Sequence, residues 1–480
     1  AAALGREARK KLIGDDANGV MVMTCHALAM RLVGASFADR KEQGEFDFDA
    51  VLEEATALLD GRGLPPEEAD VQRDRLLAGF RWILVDEYQD IGPSQYALIS
   101  ALAGRKRNDE DGKLNLFAVG DDDQNIYAFA GASVEFIRRF EQDYQAQTRF
   151  LVENYRSTAN IIEIANALIA PAKERMKHAQ PIRINAARAK SPAGSEWKSR
   201  DSVGQGRVQI LPAGTSADQQ AVAILTELVR MQTLGLDLSK TAVIARQWKF
   251  LEPLRAACES LELPVCMADE DAPPLWRLRE TQALLAFAEA QGALVKASTL
   301  QSWLADRGNS EWSDSLHEAI AAFAEEAQDA EVALPWFRDW LAEWGHANPR
   351  RQTGVLLLTA HRAKGLEFDH VFVLDGEWQR QNGEDGDAAR RLYYVAMTRA
   401  RQTLTLARMD GKHPLLDNIP DSPALLQRPA GQWLPSPPDL QHCYVIPALR
   451  EIDLGFAGRK NPGDALHQRL AALRCGDVLR

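Results

Sequence analysis

Cysteine is scarce: Cys25, Cys258, Cys266, Cys443 and Cys475 are odd in number, scattered, and form no CxxC pair. That excludes a disulfide framework and a zinc knuckle and leaves incidental or buried thiols. No apolar run reaches about 18 residues and no charged-apolar-small leader is present, so a membrane-spanning segment and secretion are excluded and a soluble cytoplasmic chain is expected. A uniformly basic coat is also missing. The net charge is −12, so contact with a nucleic acid has to be argued from local sites. Repeats of solenoid period are absent.

What is present is a 46% hydrophobic content spread over 480 residues, more than a single core usually organises, so two or more domains are expected. Short apolar runs rich in β-branched residues recur at 20–23, 82–85, 116–119, 149–152, 241–245, 355–359, 371–374 and 403–406, with helical patterns between them. Such alternation predicts α/β domains with parallel sheets, whose ligands bind beyond the carboxyl ends of the strands. The stretch 272–349 is helical in pattern and rich in tryptophan, and reads as an insertion. Six prolines between Pro420 and Pro438 predict an extended linker. The chain opens on Ala1 in a helical pattern and closes within another amphipathic segment from Asp464 to Arg480, so a polypeptide extending beyond both ends is expected.

Polar clusters follow the strand-like runs. After 82–85 come Asp86 and Glu87, then Tyr88, Gln89 and Asp90. Adjacent carboxylates at a strand end suit a magnesium shell and the activation of a water in phosphoryl transfer, although a lone pair is more often a solvated acidic turn. After 116–119 come Gly120, three aspartates, Gln124, Tyr127 and Phe129. An amide there can sense a γ-phosphate, and the aromatics can stack on bases at about 1–3 kcal/mol per base without sequence preference. By itself that run more readily reads as an acidic calcium-like loop or a plain turn, although it lacks EF-hand spacing. The run 149–152 leads into Glu153, Asn154, Tyr155, Arg156 and Ser157, offering a stacking face and a phosphate fork. Further on stand Thr359, His361, Lys364, Gly365 and Glu367, then a helical run ending in Thr398, Arg399 and Ala400. An arginine facing a neighbouring domain's nucleotide is the arrangement of an arginine finger, whereas Arg399 alone reads as a surface ion-pair residue.

In order and wording these five segments resemble motifs II to VI of UvrD/Rep/PcrA-type superfamily 1 helicases: DExQD, GDDDQxIYxxxGA, NYRS, TxHxAKGLEF and YVAxTRA. The run Thr24-Cys25-His26 is similar to the family's TFH motif, with Cys25 in place of Phe. The resemblance spans about residues 1–410. It implies two RecA-like, P-loop-NTPase-type parallel-sheet lobes, the first N-terminally incomplete and the second carrying a helical insertion. The corresponding division is a partial first lobe at 1–165 with a reduced insertion near 37–75, a second lobe at 166–271 and 350–418, the helical insertion at 272–349, a linker at 419–440, and the start of a further segment at 441–480.

The resemblance further implies ATP and Mg²⁺ as ligands, with Asp86 and Glu87 at the metal and Glu87 activating the water. Gln124, Arg156 and Arg399 would meet the γ-phosphate, Tyr155 would stack on adenine, and Glu367 would contact the ribose, with Gln89 and Asp90 also in the nucleotide site. Thr24, His26, Tyr127, Phe129, Thr359 and His361 would touch single-stranded DNA, and Arg246 matches a further strand end. The activity implied is ATP-dependent DNA unwinding or translocation, 3′ to 5′, on single-stranded or duplex DNA.

The chain departs from that pattern in several places. No GxxxxGK[ST] loop occurs anywhere, so the amides and lysine that cradle the phosphates are expected upstream of Ala1 and the chain alone is expected to hydrolyse little or no ATP. Phe129 and Ala130 replace the family's Trp and Arg, Ala388 and Ala389 replace a glutamate pair, and the stretches between His26 and Asp86 and across 272–349 are short for the family's accessory insertions. Between Pro171 and Lys190 six basic residues (Lys173, Arg175, Lys177, Arg183, Arg188 and Lys190) face one acid, Glu174, and would either track phosphates or form a solvated loop. Two readings from other classes stand beside the helicase: a nucleotide-independent DNA-binding or interaction module on an inherited scaffold, and a helicase-nuclease fusion whose nuclease cluster would have to follow Arg480. A GxxxxGK[ST] loop within one or two βα units upstream of Ala1 in the same reading frame is the expected finding; a start codon immediately before Ala1 would refute it.

Overall fold

The computed structural model describes residues 20–34 and 47–429, apart from 108, 110–111, 129–130, 174, 269–274, 276–278, 306–312, 328–329, 348–353 and 380–385. The expected terminal helices, Phe129 and the segment 441–480 lie outside the described residues.

In the first lobe Trp82–Val85 forms β1 and Asn115–Ala118 forms β2, paired in parallel from Trp82 opposite Asn115 to Val85 opposite Ala118. Period-two alternation puts Ile83, Val85, Leu116 and Ala118 on the face that packs against helical residues such as Leu52, Leu98, Ile99 and Phe136. The opposite face shows Trp82, Leu84 and Phe117 at 63%, 71% and 56% exposure. Parallel strands are normally covered on both faces, so this apolar surface is open where a cover is expected. Beyond β2, residues 145–151 line a cavity of about 860 Å³ together with the strand itself.

That cavity explains one difference from the sequence reading. Residues 149–152 do not form a strand; apart from the Val152 carbonyl, which accepts from Arg183 N–H at 2.8 Å, pairing is confined to Glu153–Asn154 (β3) with Arg183–Ile184 (β4). Strand character needs a ladder partner, and the cavity separates this segment from β2. Residues 20–23 likewise form no strand and lead into the helix Cys25–Val33.

The second lobe is built on one seven-stranded parallel sheet. Its first strands are β5 (Val208–Pro212), β6 (Thr241–Ala245) and β7 (Val265–Met267). The chain then leaves for four helices, Arg279–Gln291, Ala297–Ala305, Ser313–Ala327 and Leu334–Ala347. These close over a core of their own that includes Leu284, Leu300, Ile320, Phe323, Phe337 and Leu341. Two short strands, β8 (Leu294–Val295) and β9 (Val332–Ala333), form an antiparallel clip within this otherwise helical stretch.

The chain returns as β10 (Val355–Thr359), β11 (Phe368–Val373), β12 (Ala400–Arg408) and β13 (Leu425–Gln427), giving the order β13-β5-β12-β11-β6-β10-β7. Every residue of β6 is buried, as a strand covered on both faces must be. The helices Ala159–Ile169 and Ala388–Met397 supply Ile161, Ile164, Leu392 and Val395 to the core around it. β13 corrects the reading of 419–440 as linker throughout: Leu425 pairs in register with Val208, and Ala424 and Leu425 are buried. An edge strand ladders along one side only, so nearby prolines do not prevent it. No helix among the described residues is long and apolar enough to cross a membrane.

His370 on β11 stands opposite Thr403 on β12, their Nδ1 and Oγ1 atoms 2.8 Å apart, with the edge of Trp197 packed against the ring. Burial pushes its pKa down to about 4, so the folded state holds the neutral ring while the unfolded chain protonates near 6.5. Stability is therefore complete above the unfolded value and is lost as pH falls from there towards the folded one. Urea unfolding should show His370 costing about 2 kcal/mol between pH 7 and pH 5. An equal pH dependence in His370→Gln would refute this.

Candidate functional site

The site begins where β1 stops. Tyr88 N–H donates to the Val119 carbonyl at 2.9 Å and Val119 N–H to the Val85 carbonyl at 2.8 Å, so the chain beyond β1 stays tied to the end of β2. The resulting turn holds Glu87 at φ 51°, a left-handed conformation that costs a non-glycine residue about 1 kcal/mol or more and recurs at functional sites. Asp86 and Glu87 are exposed, and Asp86 Oδ1 accepts from Glu87 N–H at 2.9 Å. Glu87 Oε2 accepts from Gln89 Nε2 at 2.5 Å.

Gln89 has no exposed surface, and its other end, Oε1, accepts from Asp121 N–H at 2.9 Å. Both ends of the amide are thus used internally, tying Glu87 to the next loop. Close approach is why residue 120 is glycine: a Cβ there would lie 2.6 Å from Gln89 Oε1 and 2.7 Å from Ile137 Cδ1. Asp121 Oδ2 in turn accepts from Gln124 Nε2 at 2.8 Å.

The second lobe meets this loop with two cations that are buried on opposite terms. Arg399 is 2% exposed and donates to the carbonyls of Val395 and Leu366 at 3.0 and 3.3 Å and to Gln124 Oε1 at 3.2 Å. Burial, then the nearby Arg156 charge, pushes its pKa down to about 10. Lys364 Nζ contacts Asp90, donates to the Gln124 carbonyl at 2.9 Å, and lies 3.5 Å from Glu87 Oε2. Burial holds the Asp90 carboxyl above the usual carboxylate range while Lys364 opposes that shift, and Asp90 Oδ1 is buried with no hydrogen-bond partner. Asp90 therefore faces the other lobe's lysine.

Arg156 donates to Glu367 Oε2 at 2.6 Å and reaches the Thr398 carbonyl at 3.5 Å, and Thr398 Oγ1 accepts from Arg399. Glu87, Gln89, Gln124, Arg399, Arg156 and Glu367 thus form one connected polar network spanning both lobes. Tyr155 presents a ring at 68% exposure, its hydroxyl donating to Glu153. Asp86 and Glu87 offer exposed hard oxygens, a donor set that suits magnesium. The three aspartates 121–123 also lie close enough for a cation, but side chains and an amide from residues 175–177 occupy them.

Residues read as DNA contacts fall into two groups. Tyr127 donates to the His361 carbonyl at 3.3 Å, with Lys364 Nζ 5.2 Å from its ring, and Thr359 is buried at the end of β10 just before His361. Thr24 and His26 start the helix Cys25–Val33, where the Thr24 hydroxyl accepts from Ala27 N–H at 3.2 Å. Arg246 is buried at the end of β6. Lys364 was named within its motif but given no role from the sequence, because no local signal says that its ammonium crosses to the other lobe.

Paired RecA-like lobes with acid, amide and arginine groups meeting at strand ends define the class. Residues 27–145 match the UvrD/REP helicase N-terminal domain, and residues 310–410 match the UvrD-like helicase C-terminal domain. The ATP-dependent DNA helicase UvrD2 of Mycobacterium tuberculosis is 30% identical over 449 residues, covering 88% of this chain and 58% of the relative. The ATP-dependent DNA helicase PcrA of Staphylococcus epidermidis is 36% identical over 425 residues, covering 68% of this chain and 54% of the relative. The two matched domains and these relatives together support a UvrD-type superfamily 1 helicase. It spans little more than half the length of these relatives.

Removing Lys364 should leave Asp90 as an uncompensated, largely buried carboxylate at a cost of about 3 kcal/mol. Denaturant unfolding of Lys364→Ala should show that loss, and Asp90→Asn in the same background should recover most of it. No recovery would refute the pairing as its origin.

Proposed function

We propose that this chain is the two-lobed motor of an ATP-dependent DNA helicase moving 3′ to 5′ along single-stranded DNA in the cytoplasm. The phosphate-gripping loop would come from polypeptide outside these 480 residues. The observation that carries the reading is the Gln124–Arg399 hydrogen bond at 3.2 Å, which joins a first-lobe amide to a buried second-lobe guanidinium beside Glu87. The open β1–β2 face and the cavity beside β2 support the further point, since they leave apolar surface and a strand edge for an additional βα unit.

Within this reading Glu87 accepts the proton of the attacking water, held by Gln89 and by its left-handed turn. Asp86, with Glu87, holds the magnesium ion, which neutralises phosphate charge when bound. Gln124, Arg156 and Arg399 meet the γ-phosphate. Arg399 is already stripped of water, so a phosphoryl group would gain a counter-charge without the cost of desolvating it again. Tyr155 stacks on the adenine and Glu367 turns from Arg156 to the ribose. Tyr127, Thr359 and His361, with Thr24 and His26 across the cleft, hold the strand. Because Lys364 touches both Tyr127 and the Glu87–Asp90 pair, a change at the acids reaches the base-stacking ring through one side chain.

ATP hydrolysis should be near background for the 480-residue chain and DNA-stimulated in a polypeptide that also carries a GxxxxGK[ST] loop, where Arg399→Ala should lower kcat about a thousandfold. Turnover by the chain alone comparable to an intact helicase would refute the dependence. Single-stranded DNA binding with no nucleotide effect in either polypeptide would favour the nucleotide-independent module instead.

A further inference from the structure

One carboxylate oxygen from each of Asp121, Asp122 and Asp123 lies within 4.8 Å of the others, and Asp122 and Asp123 are 4% and 1% exposed. Like charges buried that close cannot all stay ionised without compensation. It arrives from one short run, residues 175–177, set antiparallel to the loop. Arg175 forks Nε and Nη2 onto the two oxygens of Asp123 at 2.7 Å each. Met176 N–H donates to Asp122 Oδ2 at 2.8 Å. Lys177 Nζ meets Asp121 Oδ1 at 2.5 Å and Asp123 Oδ2 at 3.5 Å. A bidentate arginine fork fixes both the distance and the plane of its partner, so the loop is held in orientation as well as in place.

The loop carries Gln124. One oxygen of Asp121 receives Lys177 and the other receives Gln124 Nε2, while Gln124 Oε1 receives Arg399. Lys177 is therefore two contacts away from the amide assigned to the γ-phosphate. Asn125, next in the chain, is held by Arg391 Nε on its carbonyl at 2.9 Å. We infer that Lys177 and Arg175 are positioning residues that set the orientation of Gln124 through Asp121 and Asp123, and that they do not track DNA phosphates. The inference deepens the function proposed above and rests on it only where hydrolysis is measured. It also splits the basic stretch 171–190: Arg175 and Lys177 face inward at 8% and 11% side-chain exposure, while Arg183 stands at 69%.

The test compares wild type with K177M, K177R and R175M in the 480-residue chain, and K177M and K177R in a polypeptide that also carries the phosphate loop. Amide hydrogen exchange at residues 123–125 should rise about tenfold or more in K177M and R175M and return in K177R, with β5, β6 and β12 unchanged. Binding of a fluorescent oligo-dT across a salt series should keep the wild-type slope. A slope reduced by about one per residue removed would mark them as phosphate contacts and overturn the inference. Unchanged exchange at 123–125 in both methionine variants would overturn it too. If R175M fails to fold, K177M, whose partner side chain Asp121 is more exposed than Asp123, carries the comparison. In the longer polypeptide K177M should lower kcat about tenfold at unchanged KM for ATP, with K177R recovering most of it. Equal kcat in K177M and wild type would overturn the positioning role. No hydrolysis by wild type would overturn the proposed function instead, and the exchange result would then decide the inference.

Discussion

The junction of the two lobes depends on the burial of cations that have no water to fall back on. Arg399 donates to the end of its own helix, to the loop before β11, and to Gln124 of the other lobe. Arg391, also buried, caps the Asn125 carbonyl, and Lys364 divides its ammonium between Asp90 and the Gln124 carbonyl. A buried charge that loses its partner is strongly destabilising, so each of these contacts ties the position of the Gln124 loop to the position of the second lobe. Ile126 reinforces the tie by joining the apolar core of the second lobe.

This constraint accounts for the unequal character of the two lobes. The second has a parallel sheet buried on both faces that anchors Thr359 at the carboxyl end of β10 and Glu367 and Arg399 just before the amino ends of β11 and β12. Among the described residues the first has a two-stranded sheet with one covered face, and an apolar surface that includes Leu84 at 71% exposure. Its catalytic-type turn is nevertheless held, because the order it lacks in the sheet is supplied by Gln89, by the Tyr88–Val119 backbone bond, and by contacts from across the junction. Local order of the turn and completeness of the sheet are thus separable properties here.

Much of the fold was legible in advance because a buried parallel strand has a composition that little else shares. Residues 241–245 and 355–359 are apolar throughout or nearly so, and both became central strands. Residues 149–152 look alike in sequence but carry no ladder, since pairing depends on a neighbour and not on propensity. The strand at 425–427 was hidden by the prolines around it, which speak to local chain stiffness and not to whether an open sheet edge lies alongside.

Sequence by itself determined the α/β class, the placement of Asp86, Glu87 and Gln124 just after strands, and the order of motifs, because strand composition and residue spacing are local properties. Tertiary structure alone decided which groups meet. Lys364 contacts Asp90 across 274 positions of chain, and Arg399 reaches Gln124 across 275. A lysine or arginine has the same letter whether its head lies in water or in a buried pair. The basic run that could have tracked phosphates shows the consequence, for Arg175 and Lys177 turn inward to the three aspartates while Arg183 turns out. That choice follows from the desolvation of charge, and desolvation is set by the packing of distant segments.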